Sequence, residues 1–197
     1  MSAWSHFREW NDTQIASYFS WVADNYQQYN GEEYLCNWWP LRLLVEYAAS
    51  HGLRVRLAYW PGSAPTTGGK RHWDTSKIYW HDSQSAQFSS KPHFYGRVKS
   101  TVTARMIGAL NTERIQLGSA TEGDLLIYDL NPSYWHAAVI VRTTASELIS
   151  QSGTTPKVSP GDPSRQGTLN RIGGSGTDSL FENAPRRWRF SQFSTTP

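Results

Sequence analysis

One cysteine, two methionines and no apolar run long enough to span a bilayer set the first limits on this 197-residue chain. A single thiol cannot close an intramolecular disulfide. The fold is therefore not a disulfide scaffold and suits a reducing site of synthesis. Charge is sparse, at 18% of residues and a net +3. That suits mild attraction to an anionic polymer or surface but falls short of the dense basic patch of a nucleic-acid binder, so no nucleic-acid partner is expected. Residues 1–29 are amphipathic and polar, without a continuous apolar core or a small-residue cleavage site, and do not read as a classical secretion signal. Stable membrane insertion is not expected. A substrate outside the cytoplasm would require another delivery route. No internal repeat is visible, which argues against a solenoid.

Bulky aromatics are plentiful. Ten Trp, ten Tyr and seven Phe supply core material and the walls of a groove. The length suits one domain over 1–197. Apolar spacing across residues 3–28 predicts one or two helices, with Asp12 or Thr13 as a cap near a break. A second helix is expected from about Asn37 to Ser50. Pro40 confines its start, because proline is tolerated only in a first turn, and His51-Gly52 ends it. Leu53 to Trp60 alternates apolar and basic residues as a half-exposed strand does. Residues 61–92 form the least regular stretch and read as a long loop.

Beyond that loop, Phe94–Val98 reads as a short strand and Ser100–Asn111 as a capped helix. Strands follow at 124–129, 136–142 and 147–151, then a Gly/Ser/Pro-rich loop over 152–177 and a last strand at 187–193. The basic run Arg186-Arg187-Trp188-Arg189 suits an edge strand that discourages pairing. Helices first and antiparallel strands after predict an α+β fold.

Cys36 sits where the second helix begins. The positive end of a helix dipole and free backbone N–H groups both favour a thiolate there. Thiol catalysis also needs a base, a group that orients the base, and donors for the oxyanion. His136, leading the apolar strand His136–Val141, supplies the base if that strand packs beside the helix. The orienting group should stand level with His136 on the next strand. Gln151 is the best polar candidate, with Glu147 and Ser150 as weaker ones.

These motifs resemble a known family. Cys36-Asn37-Trp38-Trp39 at a helix start resembles the Cys-x-Trp-Tyr opening of CHAP domains, the cysteine- and histidine-dependent amidases and peptidases of bacterial cell walls. Gly123-Asp124-Leu125-Leu126 resembles the Gly-Asp-hydrophobic strand of CHAP and NlpC-type domains. His136-Ala137-Ala138-Val139-Ile140-Val141 is similar to their His-bearing strand, and Gln151 falls where CHAP domains usually carry a Glu. The resemblance covers roughly residues 30–153. It implies a papain-like fold, with N-terminal helices on a central antiparallel sheet. It also implies cleavage of an amide or peptide bond in peptidoglycan through Cys36, His136 and Gln151, with no metal or organic cofactor.

Without a recognisable wall-binding repeat, such a protein is expected to travel by a dedicated machine. One route is a type VI secretion effector, an antibacterial toxin acting in a rival's periplasm with a cognate immunity protein in the producer. A phage lysin is the other. The fold would equally host a deamidase or an acyltransferase on protein or lipid. A non-catalytic glycan or nucleic-acid binding module is the alternative of a different class, on the strength of Lys70-Arg71-His72-Trp73 and Tyr79-Trp80-His81. His72, Asp74, His81, Asp82 and His93 share no ligand spacing, and no metal site is expected among them.

Overall fold

Asn11 opens the first helix: its side-chain oxygen accepts the Gln14 N–H at 2.9 Å, and α1 runs from Asp12 to Asn25. The cap thus falls one residue before the expected Asp12 or Thr13. The aromatic spacing ahead of it is not helical. Trp4 and Trp10 instead donate their indole N–H groups to the Leu53 and Arg54 carbonyls at 2.8 and 2.7 Å. Large rings spaced for docking onto another segment imitate a helical period. The computed structural model describes residues 2–29, 36–62, 73–131, 134–144, 148–151, 169–172 and 185–194.

Helix α2, Trp38–Ser50, has Pro40 in its first turn and is buried along most of its length. It stops at His51 and Gly52, where Gly52 takes φ +66°, a conformation that costs glycine little. Next comes β1, Arg56–Tyr59, paired antiparallel with β2, Tyr79–Asp82. The alternation in Leu53–Trp60 predicted a half-exposed strand, but Arg54 is only 6% exposed and Arg56 8%. Arg54 is ion-paired with Asp82, and the Arg56 guanidinium lies 4.1 Å above the Trp80 ring. Basic residues on a strand mark a solvent face only when nothing else pairs them. The outer edge of β1 is closed by a side chain. Asn111 accepts the Ala58 N–H at 2.8 Å and donates to the Ala58 carbonyl at 2.9 Å, as a neighbouring strand would. Strand β2 lies inside the stretch expected to be loop.

The expected strand at Phe94–Val98 is helical. α3 spans Lys91–Thr101, capped by Ser90 with Pro92 in the first turn. Its buried Phe94, Tyr95 and Val98 are spaced for one helical face. The helix expected over 100–111 is broken at Val102, whose backbone is extended. After it α4, Ala104–Met106, is capped by Thr103 and continues as a wide turn over Ile107–Asn111.

Among the described residues the main sheet has six strands: β3 Thr112–Arg114, β4 Leu125–Asn131, β5 Tyr134–Thr143, β6 Leu148–Gln151, β7 Leu169–Ile172 and β8 Pro185–Trp188. Their order is β3-β8-β4-β5-β6-β7, and each neighbouring pair is antiparallel. The three middle strands were expected. β7 falls in the segment read as loop, and β3 was read as part of no element. β8 ends at Trp188 and gives way to the short helix α5, Phe190–Ser194. It lies between β3 and β4, so its arginines do not guard an edge. Arg187 instead grips Asp124 through two bonds of 2.9 and 2.8 Å.

Helices cover one side of this sheet. Leu125, Ile127, Ala137, Val139 and Val141 join Val22, Leu44 and Phe94 in the larger core. The other side holds a smaller cluster of Leu126, Ala138, Ile140 and Leu148, packed by Leu117 and Ala120. The architecture is α+β, an antiparallel sheet with helices on one side. Among the described residues no helix is long and apolar enough to cross a membrane.

Candidate active site

The entry to α2 is fastened from α3. Asn37 donates its side-chain amide to the Val102 carbonyl at 2.9 Å, and Tyr95 donates its hydroxyl to the Trp38 carbonyl at 3.2 Å. The Lys99 ammonium lies 4.7 Å above the Trp38 ring and 5.5 Å from that of Tyr95. The turn carrying Cys36 is thus held by groups about sixty residues later along the chain, the Val102 carbonyl and the Tyr95 hydroxyl.

Cys36 is half-buried and has no disulfide partner. The backbone N–H groups of Ala137, of Asn37 and of Cys36 itself are directed at its sulfur and favour the thiolate. Burial acts the other way and is the larger effect, so the thiol sits above its ordinary value. The sequence expectation counted the helix terminus and not the desolvation. A thiol in this state needs a base to take its proton before it attacks.

The Ala137 N–H reaches the sulfur because of the ladder. Ile140 donates to the Asp124 carbonyl at 2.8 Å, so even-numbered residues of β5 turn their backbone groups toward β4. Ala137, out of phase, turns its N–H to the opposite edge. On that side the last described pair of the β5–β6 ladder is Val139 with Gln151.

His136 is the residue before Ala137 and is 1% exposed. It stands opposite Tyr128 in the β4–β5 register. Alternation along β5 puts it on the side of Ala138 and Ile140, while Ala137 faces the helices. The structure therefore brings Cys36 to the β5 backbone next to His136. A strand N–H lies in the plane of the sheet, so the sulfur that accepts it also lies near that plane. Cys36 packs against the larger, helix-covered core, whereas alternation directs the His136 side chain to the other face of the sheet.

Gln151 is not level with His136. The register sets it opposite Val139, on the helix-covered side with Ile149. Ser150 is fully buried and stands opposite Ile140. Glu147 lies outside the described residues. The strand assignment was right, but the β5–β6 register, with its one-residue bulge between Ile140 and Arg142, sets Gln151 opposite a residue three beyond His136.

Asp124 of the Gly-Asp motif is a support rather than part of the site. It is fully buried, accepts the Thr121 N–H at 2.9 Å and pairs with Arg187. Gly123 takes φ +85°, and a Cβ there would lie 2.9 Å from the Phe19 ring. That motif seats β4 against α1. His81, one of the scattered histidines, is stacked on Tyr59 at 4.1 Å and is buried. His72 lies outside the described residues. Sequence reasoning missed the Ala137 amide and the Lys99–Trp38 contact. A backbone donor leaves no trace in residue identity, and a lysine two elements away has no fixed spacing to a tryptophan.

No family model, curated protein or solved structure matches this chain.

Proposed function

We propose that this chain is a papain-like cysteine hydrolase of the CHAP/NlpC type that cuts an amide or peptide bond in bacterial peptidoglycan. The observation that carries this reading is the contact between the Cys36 sulfur and the Ala137 amide, which joins the lone thiol to the strand that bears His136. In the reaction Cys36 attacks the carbonyl carbon and its proton passes to His136. The tetrahedral oxyanion is held by N–H groups at the start of α2, and collapse expels the amine with that proton. Water then releases the acyl group. Gln151, opposite Val139, is not placed to orient His136 in this scheme. No cofactor enters this scheme.

On this reading the substrate is outside the producing cell. Delivery by a type VI machine, with an immunity protein in the producer, or release as a phage lysin are the two routes that fit. The test is digestion of purified peptidoglycan by the wild-type and Cys36→Ala proteins, with muropeptides read by mass. New muropeptides from the wild type and none from Cys36→Ala support the reading. Unchanged muropeptides with a thiol that still alkylates would shift the substrate to a protein or a lipid.

A further inference from the structure

Along β2 every second residue turns its backbone groups away from β1. Ser83, one step past the Arg56–Asp82 pair, donates its N–H to the Val55 carbonyl at 2.9 Å. Tyr79 and His81, in phase with Ser83, therefore bond to β1, while Trp80 and Ile78 send their N–H and C=O groups outward. Ala58, the ladder partner of Trp80, points outward on the opposite side, and there Asn111 takes both of its groups. Nothing among the described residues does the same for Trp80 or Ile78. The β1–β2 pair is closed along one edge and open along the other.

Apolar surface is concentrated at the open edge. Among the described residues four large apolar side chains are exposed, and three are consecutive: Ile78 at 50%, Tyr79 at 50% and Trp80 at 36%. Their rings are held from the same sheet. The Arg56 guanidinium lies over one face of Trp80, and the Tyr59 ring is 5.9 Å from that of Tyr79. A strand edge is normally blunted by charge or proline. β3, at one end of the main sheet, carries exposed Glu113 and Arg114. Ile78-Tyr79-Trp80 has no such guard.

The occupant that fits is the same strand from another copy. A row of backbone donors and acceptors takes an extended chain, and a two-fold axis lets one edge serve as both halves. Residues that point outward must meet residues that point outward, so Ile78 can face Trp80 of the second copy while Tyr79 faces its own counterpart. In that register the exposed side chains cover one another on both faces of the sheet. Lys77 falls opposite His81, and no like charges meet. Sliding two residues one way would set Ile78 against Asp82, already ion-paired with Arg54. Sliding the other way would set Trp80 against Ser76.

We infer that two copies of this chain pair antiparallel along β2, joining their β1–β2 sheets into one of four strands centred on Tyr79. This inference does not depend on the hydrolase reading. An edge so short makes a small interface, so micromolar association is expected.

The test is sedimentation of the full-length protein from about 1 to 300 µM. A reversible dimer is expected. Tyr79→Lys sets two ammonium groups face to face and should raise the dissociation constant at least about tenfold, as should Tyr79→Glu with two carboxylates. Both change an exposed side chain, so their thermal melts should match the wild type. An equimolar mixture of the two variants should recover the dimer, because lysine then faces glutamate. A wild type that stays monomeric throughout overturns the inference and leaves the edge to a strand of another protein. A dimer indifferent to Tyr79→Lys, or a mixture that remains monomeric, overturns it as well.

Discussion

The sulfur of Cys36 takes the backbone N–H of Ala137, and this contact fixes the start of α2 against β5. Because that amide belongs to the residue after His136, moving β5 by a single residue would turn the N–H away from the thiol. The position of the nucleophile depends on sheet register as much as on the helix that carries it.

The thiol should titrate late. Burial raises Cys36 above its ordinary value, so iodoacetamide should modify it slowly at neutral pH, with a pH–rate midpoint above that of a free cysteine. One cysteine in the chain makes the assignment unambiguous. A midpoint below the free-thiol value would mean that the amide donors outweigh burial. His136→Ala should leave that midpoint within about one unit while removing turnover, since its role lies in proton transfer during attack.

Arg187→Ala should be strongly destabilising. It strips the partner from Asp124, a carboxylate with no exposure, and the loss is expected at about 3–5 kcal/mol in denaturant unfolding. Burial holds the Asp124 pKa above the usual range even with Arg187 present. In the variant the carboxyl should therefore be protonated at still higher pH, and the defect should shrink on acidification. A pH-independent defect would show that Arg187 matters through its stacking on Phe19, 4.9 Å away, and not through charge.

His81 makes stability depend on pH. Burial, helped by the charge of Arg97, lowers its pKa from 6.5 to about 4. The Thr101 hydroxyl gives its one hydrogen to the Arg97 carbonyl, so His81 Nε2 must donate to Thr101, and the ring is neutral. The folded state then binds the proton more weakly than the unfolded chain. Stability contributed by this ring is complete above pH 6.5 and falls toward pH 4, by up to about 3 kcal/mol. His81→Gln should flatten that slope in thermal melts taken across the interval. An unchanged slope would assign it to other groups.

Asn111→Leu tests the side chain that stands in for a strand. It removes both bonds to Ala58 and the bond to the Met106 carbonyl at 3.0 Å. Buried backbone groups would be left unpaired at about 1–3 kcal/mol each. Amide exchange at Ala58 should accelerate far more than at Leu125 in the main sheet. Equal acceleration would mean global loss and not a frayed edge.

Local chemistry legible in the sequence survived into the structure. Proline in a first turn, His-Gly at a helix end and the apolar strands after Gly123 set α2, β4, β5 and β6, because each signal acts within a few residues. Where aromatics imitated a helical period before Asn11, or arginines imitated a wet face on β1, distant partners decided the outcome. Cys36 and His136 were singled out from residue type and from the elements they open. Their mutual placement, the displacement of Gln151 to Val139, and the arrival of Lys99 at Trp38 were settled only by folding. Register and face are properties of two strands at once, and a thiol's acidity depends on how much water the rest of the chain removes. Neither quantity exists until segments far apart in sequence have met.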